Sequence, residues 1–483
     1  MSSTFHTGIS GRAKLGPTHF DSRGRQRESD AKSPPRSIPR TLTKPVAEPL
    51  QVGPAGPGDH PSIQLFLQNV FQAPSSAEFQ AQLEDPSYEP SDRLVAKFGE
   101  RVVSHLRLSK REVNFGSRML PITLVSDVGT LPEFRTKGCA SNLLESAEQQ
   151  MIEEGSLLGM LSTSVPQFYL QRGWTVCGRH SFSTGRPRDI LSYLSATQPV
   201  GERLGDYALT ELIEGKHPPK KISIRLWRHV ERAALIRLYN EATVGTYGRV
   251  FRTETYWRWL ISRRGYDRVY VAIEGPDKFD LDDELSPIVG YAAMREGRIV
   301  ELMGSPNHLR VPELLLARAC GDAIERDYHR VRFDGPPGDP LHKAMELAGG
   351  EHNYHEAENG EVFMAKLFDP VGFLESLCPQ LHERAKAAEL TRPCELGLQI
   401  EDEKYRLSVS RRSVKLAPGK LCRSYLTCST SQLVQMLLGH LHIRDATESG
   451  RLDSSTRIGV EIASALFPTL PMWRSPLDEL PAL

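Results

Sequence analysis

The chain has 483 residues, with 60 Lys and Arg balancing 60 Asp and Glu for a formal net charge of +0. That length exceeds one ordinary core, so roughly two to four domains are expected, and the neutral balance gives no electrostatic footprint for nucleic acid. Seven cysteines without a CxxC pair argue against a disulfide framework or a zinc cluster. The absence of an apolar run of about 18 residues, together with the polar start MSSTFHTGIS, predicts a cytoplasmic protein that does not insert into membranes.

Residues 1–60 contain eight prolines and nine Lys and Arg against five Asp and Glu, which predicts a disordered tail. A first domain over 61–200 opens with a helix carrying Ile63, Leu65, Phe66, Val70 and Phe71, followed by strands at 93–98, 101–108 and 119–130. The stretch VGTLPEFRTKGCA (128–140) then joins the last strand to a helix on which Leu143, Leu144, Ala147 and Met151 recur on one face. The first turn of such a helix has N–H groups without internal partners, and Gly138 lets backbone approach a phosphate closely. This junction therefore reads as an anion site, the alternative being a surface loop that merely enters a helix through a glycine. A buried strand at 157–163 and the segment FYLQRGW (168–174) follow, and the domain closes near Leu194.

A second unit of similar order is expected over 215–369, with the strand ISIRLW, a helix with Leu235, Leu238 and Tyr239, strands at 268–273, 288–295 and 299–303, a helix at 311–327 and then VRFDG. Its equivalent turn, GSPNHLR (304–310), lacks the glycine pattern, and Pro306 removes a donor. A third unit over 370–483 has an amphipathic helix (Phe373, Leu374, Leu377, Leu381, Ala385), alternating strands CELGLQI and YRLSVS, a hairpin through Ala417-Pro418-Gly419, the helix SQLVQMLLGHL and a closing EIASALFPTLPMW.

Arg135, Gly138 and Ala140 fill the pattern Gln or Arg, two residues, Gly, one residue, Gly or Ala. The junction thus resembles motif A of the GCN5-related N-acetyltransferases (GNAT), and Tyr169, with Gly173 and Trp174 after it, resembles the tyrosine that closes that fold. The order of the three units resembles the Eis family. The resemblance implies an α/β fold of mixed α+β sheets: two tandem GNAT-like domains, the second degenerate, followed by a sterol-carrier-like (SCP2-like) domain. It implies transfer of an acetyl group from acetyl-CoA to a primary amine, on a small molecule or a lysine side chain, without a metal, in a homo-oligomer such as the family's hexamers.

It further implies roles for individual residues. Backbone groups of Val128 and Thr130 would hold the pantetheine arm, and those of Arg135, Thr136, Lys137, Gly138, Cys139 and Ala140 the pyrophosphate, with added charge from Arg135 and Lys137. Relatives often carry consecutive arginines where Thr136 stands, which implies weaker cofactor affinity. Tyr169 would be the general acid. The C-terminal carboxylate, Leu483, would be the base, stiffened by Pro476 and Pro481; a frayed terminus is the alternative reading, and Asp127 the substitute base.

Other residues invite blander readings. Cys139 reads as a small packing residue. His440 and His442 read as exposed loop histidines, too few for a metal site. Trp257 and Trp259 read as core of the second domain or as the rim of a cleft at the domain junction. The run Leu281-Asp282-Asp283-Glu284 reads as a solvated loop. Two other functions stay open: a lipid or small-ligand binding protein whose first domain is a vestigial acyl-CoA sensor, and transfer of a longer acyl or an aminoacyl group.

Overall fold

Among the described residues, alternating apolar strands form three sheets with one-sided helices packed on them, and the strands are not shared out in chain order. The computed structural model describes residues 50–197, 221–275, 287–390 and 393–479. The acidic run at 281–284, the terminal Leu483 and most of the N-terminal tail lie outside them.

The first elements are β1 (Gln51–Pro54), α1 (His60–Phe71), α2 (Ser76–Leu83), β2 (Arg93–Phe98), β3 (Arg101–Phe115), β4 (Arg118–Thr130), α3 (Cys139–Glu153), β5 (Leu158–Thr163), α4 (Pro166–Leu170), β6 (Thr175–Val176), β7 (His180–Gly185) and α5 (Pro187–Ala196). Then come β8 (Ile222–Leu226), α6 (Arg232–Thr243), β9 (Tyr247–Val250), α7 (Glu254–Ser262), β10 (Arg268–Glu274), β11 (Ile288–Arg295), β12 (Arg298–Gly304), α8 (Val311–Glu325), β13 (Val331–Asp334), α9 (Pro340–Leu347), β14 (Glu351–His355), β15 (Ala357–Glu358) and β16 (Glu361–Leu367). The last run is α10 (Pro370–Ala387), β17 (Cys394–Ile400), β18 (Glu403–Val409), β19 (Val414–Pro418), β20 (Tyr425–Cys428), α11 (Thr430–Leu437), α12 (Ile443–Glu448), β21 (Asp453–Ser454) and α13 (Arg457–Leu466).

The first sheet runs β1-β2-β3-β4-β5-β16-β15, with β9 also on β3 and β6 on β16. Against it pack α1, through Ile63, Phe66 and Leu67, and α3, through Leu143, Leu144, Ala147 and Met151, all buried. The Ile, Phe, Leu and Met side chains among them each contribute about 1.5–3 kcal/mol by leaving water. The second sheet runs β14-β7-β13-β12-β11-β10-β8, and the third β19-β18-β17-β20-β21. Among the described residues no helix is long and apolar enough to cross a membrane.

Strands cross between the first and second sheets in both directions: β9, β15 and β16, from the second unit's stretch of chain, lie in the first sheet, and β7 lies in the second. β16 pairs antiparallel with β5, from Val362 against Thr163 to Leu367 against Leu158. In return β7 lies between β13 and β14, with Gly185 opposite Val331 and Thr184 opposite Glu351. Residues 180–196, read from sequence as the close of the first domain, therefore pair and pack with the second sheet, where α5 contributes Ile190 and Leu194 to its core. The crossing passes Gly178, where a Cβ would stand 2.8 Å from Cβ of Phe363. Only glycine fits there without displacing β16.

Three smaller differences have local causes. Residues 51–54, expected in the disordered tail, form an edge strand on β2, with Gln51 opposite Lys97 and Pro54 opposite Leu94; an edge tolerates the missing N–H of proline. β3 reaches Phe115, past the expected end at 108, because β4 and β9 both pair with its far half. α2 was not anticipated, although Ser75 and Glu78 form a capping box at its start.

Candidate active site

The site begins with an irregularity in β4. Along the β3–β4 ladder Arg107 faces Ser126 and His105 faces Gly129, so Asp127 and Val128 together oppose Leu106 alone. This is a β-bulge, which releases backbone groups from the ladder. Asp127 takes a left-handed conformation, φ 54°, a region that Asp tolerates better than most residues. The parallel pairing of β4 with β5 stops at Val125 opposite Leu161. Beyond that point the two strands part, and the β4 edge from Ser126 to Thr130 faces a gap. Val128 and Thr130, expected to meet the pantetheine arm, both lie on this edge.

The chain then turns directly into α3. A short 3-10 turn, Pro132–Phe134, leads to Thr136 at φ 63° and Gly138 at φ 81°, the residue that starts the helix. No side chain caps α3, so its first N–H groups are open to an outside acceptor and the helix dipole favours an anion there. Arg135, Thr136, Lys137 and Gly138 are exposed, while Cys139 is buried, with its Sγ 3.8 Å from the carbonyl oxygen of Phe134. The Nε of Arg135 donates to the carbonyl of Thr130 at 3.3 Å, and the Lys137 ammonium lies 4.6 Å from the Phe134 ring centre. These residues fit a pyrophosphate: uncapped donors, a glycine in the left-handed region, and two cations at the rim.

Tyr169, on α4, is 5% exposed and meets Phe168 and Trp174 edge to face. Burial pushes its pKa up to about 12, against the opposing pull of Arg172. The phenol therefore stays protonated across the neutral range, as a proton donor must. Sequence reasoning passed over Arg172, which binds the carbonyl of Phe168 at 2.6 Å and Oγ of Ser141 at 2.5 Å. It ties α4 to the first turn of α3, so the tyrosine helix and the anion loop are held together.

A cavity of about 470 Å³ opens on the bulge, lined among others by Ser126, Asp127, Met160, Trp259, Glu361 and Asp478. Asp127 forms an ion pair with Arg107, whose Nε is 2.9 Å from its Oδ2. Burial raises the pKa of Asp127, but Arg107 foremost, with His105 and Arg93, outweighs it and holds the carboxyl below its ordinary value. So paired, Asp127 is a poor proton acceptor.

The chain's last described segment also reaches this cavity. Asp478 is pinned by Arg252, with Nε–Oδ1 at 2.9 Å and Nη2–Oδ2 at 3.0 Å, and Arg252 in turn grips Glu301 at 2.9 and 2.6 Å. Tyr256 donates to Asp478 at 3.2 Å and Tyr291 to Glu301 at 2.7 Å. No sequence spacing joins Arg252, Glu301 and Asp478; only the fold does.

Trp257 and Trp259 are both buried, Trp257 against Tyr239, and Trp259 donating to the carbonyl of Ala81 at 2.7 Å while also lining the cavity. His442 is exposed and accepts from the N–H of Asp445 at the start of α12. His440 differs from the exposed loop histidine expected. Its side chain is 8% exposed and stands 3.4 Å from Glu356, because the end of α11 folds against the β14–β15 turn. Among the described residues no group of three or more His, Cys, Asp or Glu is placed to hold a metal ion.

Residues 52–177 match the family model of the Acetyltransferase (GNAT) domain. No curated protein sequence matches the chain. Among solved structures, a GCN5-related N-acetyltransferase from Kribbella flavida superimposes with a TM-score of 0.63 at 15% identity, covering 89% of this chain and 98% of that one. A GCN5-related N-acetyltransferase from Anabaena variabilis gives 0.62 at 15% identity, with 88% and 99% covered. Eis1 from Mycobacterium abscessus gives 0.57 at 15% identity, again with 88% and 99% covered. At that identity the likeness is one of fold: mixed α/β sheets of the GNAT type, extending over nearly the whole of each relative.

Proposed function

We propose that the protein transfers an acetyl group from acetyl-CoA to a primary amine, on a small molecule or a lysine side chain. One observation carries the reading: β4 bulges, parts from β5 and leads through a short 3-10 turn into an uncapped helix start. The parted edge offers Val128 and Thr130 to the pantetheine arm as an added strand would be offered, and the donors from Arg135 to Ala140 suit the pyrophosphate. The amine nitrogen then bonds the acetyl carbon, the C–S bond breaks, a base takes the ammonium proton, and Tyr169 protonates the departing sulfur. Because Asp127 is paired to Arg107, the base is assigned instead to the carboxylate of Leu483. The anchoring of Asp478 beside the cavity, close before it in sequence, supports that assignment.

The test is purified protein with acetyl-CoA and a panel of polyamines, aminoglycosides and lysine peptides, followed by free-thiol release. Release with at least one amine is expected. No release and no acetyl-CoA binding would overturn the reading in favour of a ligand-binding protein. Longer acyl-CoA donors in the same assay decide the acyl group. A peptide fused after Leu483 should abolish turnover while leaving acetyl-CoA binding intact; full activity of the fusion would remove Leu483 from the mechanism.

A further inference from the structure

Behind the bulge lies a chain of buried hydrogen bonds that the roles above do not use. Arg93, on β2, is fully buried, its guanidinium 4.8 Å from the Phe79 ring centre and 5.6 Å from that of Tyr88. Its Nη2 donates to Oε1 of Gln82 at 2.7 Å, and its Nη1 lies 3.2 Å from Nε2 of His105. His105, on β3, is also fully buried, and its Nδ1 lies 3.0 Å from the carbonyl oxygen of Asp127.

The direction of these bonds follows from chemistry alone. Guanidinium has no acceptor, so Nη1 of Arg93 must donate and Nε2 of His105 must accept. The ring's remaining hydrogen is then on Nδ1, which donates to Asp127. Burial, and next the adjacent Arg93, push the pKa of His105 down to about 3, so the neutral Nδ1–H tautomer persists at any working pH.

The carbonyl of Asp127 and the N–H of Val128 belong to one planar trans peptide and point in opposite directions. Holding the carbonyl toward β3 therefore turns the N–H of Val128 away from β3, toward the gap where β4 has left β5. We infer that His105 is a positioning residue for acyl transfer: its hydrogen bond to Asp127 fixes the bulge peptide so that the Val128 N–H faces the thioester oxygen. The bond also braces Asp127 in its left-handed conformation, φ 54°, a region open to Asp but less favourable than the ordinary extended one. This inference rests on the acetyl-transfer reading and adds to it the means by which the bulge keeps its direction.

Two variants separate the bond from general damage. Asn at 105 places its amide nitrogen where Nδ1 stands and keeps the donor to Asp127. Gln places its amide group where Nε2 stands, accepts from Arg93, and leaves Asp127 without a donor. His105→Gln should lose about 10²-fold in kcat, the scale of one displaced oxyanion donor. His105→Asn should stay within a few-fold of wild type, with similar acetyl-CoA affinity and melting temperature in both. Hydrogen–deuterium exchange of the segment around residues 126–129, measured without turnover, should be faster in the Gln variant than in the Asn variant. Equal kcat, or equal exchange at the bulge, in the two variants overturns the inference. An inactive wild type overturns acetyl transfer, and the exchange comparison then still decides whether His105 holds the bulge.

Discussion

Tyr169→Phe should bind acetyl-CoA as the wild type does and release thiol about 10²–10⁴-fold more slowly, the usual contribution of a general acid. The exchange removes one oxygen from a ring that stays packed between Phe168 and Trp174, so the melting temperature should hardly move. Because burial keeps the phenol protonated, wild-type turnover should show no loss of an acid between neutral pH and about pH 10. Isothermal titration with acetyl-CoA and a stopped thiol assay read the two halves of this expectation. Unchanged kcat would take the proton-donor role away from Tyr169. A loss of binding instead would mean that the ring shapes the cofactor groove.

Arg252→Met should be the most destabilising of the single changes considered, by about 3–5 kcal/mol, the range for removing one member of a buried ion network. Arg252 is 0% exposed, satisfies both Glu301 and Asp478, and has Tyr239 and Trp257 against its planar faces at 4.0 and 4.8 Å. Removing it leaves two carboxylates facing each other out of water. Met fills a similar volume, so the loss isolates the charge, and urea unfolding measures it. Glu301→Gln with Asp478→Asn in the Met background should recover part of the loss. Recovery of none would show that packing, not charge, dominates.

The same network sets a pH dependence. Burial raises the pKa of Glu301, but Arg252 outweighs that and leaves it below its ordinary value. A carboxylate with a lowered folded pKa contributes its stability fully above the unfolded value and loses it as pH falls through the folded one. The urea midpoint of the wild type should therefore fall on acidification below the carboxylate range, and that of Arg252→Met should fall less.

What the sequence made legible was local. The anion junction could be read because a strand, a left-handed glycine and a helix start follow one another within a few residues, and their geometry depends on little else. The apolar face of α3 was equally plain from Leu143, Leu144, Ala147 and Met151. The exchange of β7 and β16 was hidden, because a strand's alternation tells which face is buried and not which neighbour it will pair with. Arg93 and His105 were hidden for a related reason. Polar residues at alternating positions read as solvent-facing, and only the packing of α1 and α2 over that face makes them buried and paired. Arg252, Glu301 and Asp478 come from three distant segments and carry no signal until the chain has folded.

The crossed strands also set a timetable for the ribosome. Ser162 at the end of β5 meets Glu361, 199 residues later. At about 5–20 residues per second, synthesis leaves β5 as a bare edge for roughly 10–40 s before β16 emerges to cover it. An uncovered edge strand is a template for pairing with other chains. The first sheet is therefore completed only after every strand of the second sheet has been made, and until then the nascent protein carries β5 with one edge unpaired.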